Sequence, residues 1–215
     1  QIRVLGPLEV TSGDGTPHAV RGTRRRLLLA TLVLHRNAAC GIDQLVDVLF
    51  GDYNPSGKLP VTFPRNVGQV PIYYNHLRTG RPATPEDQYT SKYIDSPNEP
   101  LYPFGYGLSY TTFDYSDLRV TKQGNGVKVS VNVRNSGRRD GDEVVQLYVH
   151  DPVASTARPV RELKGFRRIS LEPGQSQRVE FTLTQADLQF WLDGWKFERG
   201  LFRVWIGDQE GKFEL

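Results

Sequence analysis

At 215 residues, with 38% hydrophobic and 24% charged side chains, the chain has the composition of a folded globular protein and length for one large domain or two small ones. No apolar run approaches the about 18 residues of a membrane span, and the longest, residues 27–34, is interrupted by Thr31. A single cysteine, Cys40, excludes an internal disulfide, and with no CxxC or Cys/His cluster it offers no structural zinc site.

The formal net charge of +3 is unevenly placed. Residues 1–45 hold Arg3, Arg21, Arg24, Arg25, Arg26 and Arg36 against Glu9, Asp14 and Asp43, while acids and bases cancel over the rest. That imbalance points to a basic, nucleic-acid-facing fragment joined to an electroneutral body. Ile2, Val4, Leu5, Leu8 and Val10 form a β-prone run broken at Gly6-Pro7, residues 12–15 are a turn, and residues 18–20 return as a strand. From Thr23, an N-cap residue type, residues 24–35 read as a buried helix carrying Leu27, Leu28, Ala30, Leu32 and Leu34. A break at 37–41 precedes a second helix, 42–50, with Ile42, Leu45, Val46 and Leu49 on one face.

The stretches RVLGPLEV, RGTRRRLLLATLVLH and GIDQLVDVLFGD resemble the winged-helix DNA-binding domain of actinobacterial antibiotic regulatory proteins, over residues 1–50. Arg24, Arg25 and Arg26 read as a solvated basic turn, since three cations at a helix N-terminus oppose the macrodipole, with phosphate contact as the alternative. Base edges, however, are read by a helix in the major groove. Where the recognition helix and wing would follow, this chain has NPSGKLPVTFP. Nucleic acid is therefore not an expected partner.

Residues 49–64, LFGDYNPSGKLPVTFP, run from the end of a helix through a Gly/Pro turn to a short strand at 58–63. This stretch, then VPIYYNHLRTGRP and YIDSPNEPLYPFGYGLSYTTFDYS, resemble the C-terminal region of glycoside hydrolase family 3, the β-glucosidase and β-xylosidase group. The resemblance implies the last helix, turn and strand of an α/β sandwich domain, a linker, and a fibronectin type III-like domain extending to Leu215. The two resemblances meet within 46–50, which reads as the junction of a chimeric chain. The strand at 58–63, cut off from its family sheet, is expected to pair with the N-terminal strand or with another chain.

Residues 65–115 form an aromatic-rich linker. Its rings either pin it to domain surfaces or stack on sugars, since aromatic rings with a polar edge suit pyranose faces. The carbohydrate-contact candidates are Tyr73, Tyr74, His76, Arg78, Tyr93, Tyr102 and Tyr106. An oligosaccharide and self-association, through the linker or the N-terminal fragment, are the partners this segment suggests.

From 116 onward the period of two is clear: Leu118 and Val120; Val127, Val129, Val131 and Val133; Val145, Leu147 and Val149; Val179, Phe181 and Leu183; Phe202, Val204 and Ile206. Turns punctuate at 124–126, 135–137, 140–142, 172–174 and 193–194. About seven strands with no more than a helical turn near 184–188 predict an immunoglobulin-like sandwich. Trp191, Trp195 and Trp205 read as core or edge-covering side chains, with ligand stacking as the alternative.

The fold class is thus mainly β: a C-terminal fibronectin type III-like sandwich (116–215), the linker (65–115) and a small N-terminal α/β subdomain (1–64). Glycoside hydrolysis with retention needs two carboxyl groups about 5–5.5 Å apart. The resemblance places the family's nucleophile and acid/base in stretches this chain does not contain, and Asp52, Asp95 and Glu99 fall outside the family's catalytic motifs. His150, Asp151 and Ser155 lack a nucleophile elbow. No catalytic residue, cofactor or metal site is assigned, and neither secretion nor its absence is read from the N-terminus. The leading reading is a non-catalytic accessory and stabilising module. Beside it stand a carbohydrate-binding module using the linker aromatics, a DNA-binding fragment, and a hydrolase activity created by fusion.

Overall fold

The computed structural model describes residues 2–3, 9–11, 17–19 and 42–215, apart from 85 and 88. The expected helix at 24–35, Cys40 and Arg24, Arg25 and Arg26 lie outside the described residues. No helix among those described is long and apolar enough to cross a membrane. The chain divides into two compact units, residues 1–72 with 99–110, and 73–98 with 111–215, so that the linker stretch contributes to both.

In the first unit, β1 (Ile2–Arg3), β2 (Glu9–Thr11) and β3 (Pro17–Ala19) form an antiparallel sheet in that order. The run expected over residues 2–10 is represented by two strands that pair with each other, Ile2 opposite Val10. Helix α1 spans Ile42–Phe50. It stops at Gly51, whose φ of 85° lies in the left-handed region that favours glycine. The Gly51 and Tyr53 amides both close on the Asp47 carbonyl, at 2.9 and 3.1 Å.

Among the described residues, the segment at 58–63 does not pair with the N-terminal strands. Leu59 N donates to Tyr106 O and Phe63 N to Tyr102 O, each at 2.8 Å, and Gly105 N and Leu101 N donate back to Leu59 O and Phe63 O. Its partner is residues 101–106 of the same unit. Gly107 makes the close approach possible, because a Cβ there would fall on the carbonyl oxygen of Gly57. Asn54 closes the unit by accepting from Ser109 Oγ and Tyr110 N, while the Tyr110 hydroxyl donates to Val48 O at 2.7 Å.

The second unit is a sandwich. Strands β4 (Phe113–Gln123), β5 (Gly126–Asn135) and β8 (Ser176–Leu183) form one sheet, in the order β4-β5-β8. The other has the order β12-β11-β6-β7, from β6 (Gly141–His150), β7 (Glu162–Leu171), β11 (Leu201–Ile206) and β12 (Gln209–Glu214). A short hairpin of β9 (Phe190–Trp191) and β10 (Trp195–Lys196) precedes β11. Successive side chains of a strand point to opposite faces. Val127, Val129, Val131 and Val133 of β5 therefore enter the core together with Val145, Leu147 and Val149 of β6 and Phe202, Val204 and Ile206 of β11. The two-sheet immunoglobulin-like sandwich expected from periodicity is present. β7 and β12 escaped the pattern because an edge strand needs few inward apolar residues, and β7 buries only Ile169 and Leu171. At the β11–β12 turn Gly207 has φ of 60°, and a Cβ there would lie 2.7 Å from the Tyr115 ring.

Asn135, one residue of an expected surface turn, is fully buried. Its Oδ1 accepts from Thr111 Oγ1 at 2.6 Å and Gly137 N at 3.0 Å, and its Nδ2 donates to Arg139 O at 2.7 Å and Leu171 O at 2.9 Å. One amide thus joins the start of β4 and the ends of β5 and β7. Removing a partner strands buried polar groups at about 1–3 kcal/mol each. Asn135→Ala is expected to lower unfolding free energy by about 3 kcal/mol in urea titrations. Asn135→Asp, which turns two donors toward carbonyls as acceptors, should be equally destabilising at pH 7 and partly recover at pH 4.

Candidate functional site

The aromatic candidates fall in different units. Tyr102 and Tyr106 belong to the first, with ring centroids 5.1 Å apart, and Tyr102 also meets Phe63 edge-on at 6.5 Å. Both rings are half-buried beside the 59–63 pairing that they frame. Tyr73, Tyr74, His76, Arg78 and Tyr93 belong to the second. Tyr74 packs edge-on against Tyr148 at 6.1 Å, and its hydroxyl accepts from Leu163 N. Burial, with Tyr74 as a smaller influence, pushes the Tyr148 phenol up to about 12. Val160 N donates to His76 O, and Leu77 bridges to Pro159, so residues 74–77 are tied to the chain just before β7. Tyr73, His76, Arg78 and Tyr93 are exposed.

Two polar clusters on the sandwich were not legible in the sequence. In the first, Trp205 is buried and carries two guanidinium groups against its ring, with Arg161 and Arg203 Cζ at 4.5 and 5.0 Å from the ring centre. Its Nε1 donates to Glu210, which Arg203 also grips with Nε and Nη2 at 2.8–2.9 Å. Arg203, aided by Trp205, holds the Glu210 carboxyl below its usual range. Strand pairing explains the cluster, because Trp205 lies opposite Glu210 across the β11–β12 hairpin and Arg203 is two residues along the same face.

The second cluster fills the 151–161 loop. The Arg158 side chain is about nine-tenths buried, 3.9 Å from Asp151 and 3.2 Å from Glu162, with its guanidinium 4.8 Å from the Phe190 ring centre. Burial raises the Asp151 carboxyl despite the Val153 amide and Arg158. Glu198 accepts from both the amide and the hydroxyl of Ser155, and these bonds lower its pKa. His150 Nδ1 sits 2.8 Å from Pro159 O. Ser155 and His150 are thus held by Glu198 and Pro159, respectively. No group of three or more His, Cys, Asp or Glu among the described residues is placed to hold a metal. A 410 Å³ groove lined by Gln123, Asn125, Thr182, Thr184 and Gln185, among others, carries no titratable side chain.

Trp205 is buried on the face of β11 opposite to Phe202, Val204 and Ile206, whereas Trp191 and Trp195, also expected in a core or edge-covering role, are 66% and 68% exposed.

Two apposed sheets in this strand order, preceded by an aromatic connection, define a class, and comparison with known proteins agrees. Residues 13–110 match the Glycosyl hydrolase family 3 C-terminal domain, and residues 143–210 the Fibronectin type III-like domain. The chain therefore carries the C-terminal domain of glycosyl hydrolase family 3 together with a fibronectin type III-like domain, and the relatives it matches include β-glucosidases and a β-xylosidase-like protein. The periplasmic β-glucosidase of Salmonella typhimurium is 52% identical over 188 residues, covering 81% of this chain and 25% of that protein. The β-glucosidase of Listeria innocua, solved with glucose, matches with TM-score 0.74 and 43% identity over 80% of this chain and 26% of that one. A variant of the Listeria enzyme solved with laminaribiose matches with TM-score 0.72 and 43% identity, over 80% of this chain and 25% of that one. The chain spans about a quarter of the length of these relatives.

Acid should weaken the second unit. Asp142 is held low by Ser170 and Arg168, Glu198 by Ser155, and Glu210 by Arg203. A carboxyl lowered by folding contributes stability that is complete above its ordinary value, near 3.8 for Asp and 4.5 for Glu, and drains away as pH falls through the folded value. Asp151, raised by burial, acts in the opposite sense and gains from acid. Thermal melts from pH 7 to 3 should show a falling Tm below about pH 4.5, with the fall smaller in Glu210→Gln.

Proposed function

We propose that this chain is a non-catalytic accessory and stabilising module of a family 3 β-glucosidase-like hydrolase. The observation that carries this reading is the similarity itself, which joins a family 3 C-terminal domain to a fibronectin-like domain over about a quarter of each relative. The described ionisable groups support it. Asp142, Glu198 and Glu210 are each held by serine or arginine partners that lock strands and loops together. The purified chain is expected to release no product from an aryl β-glucoside. Turnover abolished by one carboxylate substitution would overturn the proposal.

A second reading concerns residues 1–48 only. The alignments to relatives leave about a fifth of the chain uncovered, close to the length of the regulator-like stretch, although the family 3 match begins at residue 13. As a regulator-derived fragment, and hence part of a chimera, this stretch supplies the basic RGTRRR turn without a recognition helix. Gel-shift titration should then show no sequence-specific complex, and any non-specific retardation should weaken steeply with salt.

A further inference from the structure

In the β9–β10 hairpin, Trp191 lies opposite Trp195 and Phe190 opposite Lys196. Alternation sends the two faces different ways. Phe190 is buried under the Arg158 guanidinium, which anchors the root of the hairpin. Trp191 and Trp195 emerge together on the other face, with ring centroids 5.7 Å apart and planes at 85°. The turn between them is set by Asp193 and Gly194, at φ of 52° and 129°, and closed by Leu192 N donating to Gly194 O. Neither indole N–H has a hydrogen-bond acceptor among the described residues. The core already has its aromatic residues, and this pair covers no part of it.

Size decides what such a pair can hold. Each indole carries roughly 150–250 Å² of side-chain surface. Two of them, about two-thirds exposed, therefore offer on the order of 300 Å². A stable protein interface needs about 800 Å² per partner, so this corner is too small to seat a folded protein. It suits one or two pyranose rings, whose axial C–H face is apolar and weakly positive where the indole face is negative, and whose hydroxyl rim can accept from the N–H of the perpendicular indole. Asp193, exposed in the turn between the two tryptophans, supplies a polar side chain there.

We propose that Trp191 and Trp195 form a carbohydrate-contact site that stacks on the pyranose faces of a soluble β-linked glucan. The choice of a β-glucan rests on the family 3 reading above, whereas the aromatic corner and its size do not.

Native affinity electrophoresis of the full chain in gels containing laminarin is expected to show retardation that is absent in dextran gels. Trp191→Ala and Trp195→Ala should each weaken it at least about tenfold. Trp195→Phe, which keeps an aromatic face, should retain most of it, and Phe166→Ala, which removes an exposed ring on β7, should leave it unchanged. Unaltered thermal melts certify that the alanine variants are folded, and if either fails to fold the phenylalanine variant with tryptophan fluorescence titration decides. Absence of retardation in laminarin, or retardation indifferent to both tryptophans, overturns the site. Concentration-dependent dimerisation lost in Trp191→Ala without any laminarin effect would assign the corner to a second copy and overturn it equally. The aryl-glucoside assay is independent of these outcomes, so failure of the site and failure of the accessory reading are distinguishable.

Discussion

The second unit depends on one constraint, the requirement that alternate residues of β5, β6 and β11 all leave water together. Val129, Val131, Val133, Val145, Leu147, Val204 and Ile206 are wholly buried, and each sits in a strand whose intervening residues are more polar or more exposed. A one-residue slip in register would turn such a ladder outward. Each deleted core side chain would cost about 2–5 kcal/mol, so the register is held by many independent terms. The more exposed edge strands can then vary. β4 carries a bulge between Ser116 and Arg119, and β7 a register shift opposite Leu147–Tyr148, without disturbing the inward row.

The ends of the sandwich are closed by polar groups. Asn135 satisfies all four of its main hydrogen-bonding directions inside the protein, which makes it a connector between strands distant in sequence. Arg158 is a less complete solution. Its guanidinium is compensated by Asp151, Glu162 and the Phe190 ring, but its Nε has no hydrogen-bond acceptor. Breaking a buried pair by removing one partner is more disruptive than the pair is stabilising, so the 151–161 loop and the β9–β10 hairpin are fastened together through one side chain.

That fastening connects fold to function. The accessory role proposed above rests on presenting rigid surface, and in the second unit rigidity comes from the same alternation that builds the core. Phe190 goes in and Trp191 goes out because they are neighbours on one strand. The aromatic linker serves a different purpose in part. Tyr74, Tyr102 and Tyr106 are engaged with chain around them, Tyr74 through Leu163 and Tyr148, Tyr102 and Tyr106 through each other and the 59–63 segment.

The period of two from 118 to 206, punctuated by glycine-containing turns, determined the sandwich and its main strands, because inward and outward positions differ in the residue types they tolerate. The family 3 motifs from 49 to 115 likewise pointed to the relatives found. What only tertiary structure decided was partnership. β7 and β12 have weak patterns and are strands because a neighbour offers them hydrogen bonds. Residues 59–63 carry a strand signal that does not name its partner, and Tyr102 and Tyr106 of the same unit supply it. Asn135 reads as a turn residue until Thr111, Arg139 and Leu171 are brought around it. Trp191, Trp195 and Trp205 are chemically identical in the sequence, and burial separates them: Trp205 lies against two arginines on a central strand, while the other two stand on the outer face of a hairpin whose inner face Phe190 already occupies.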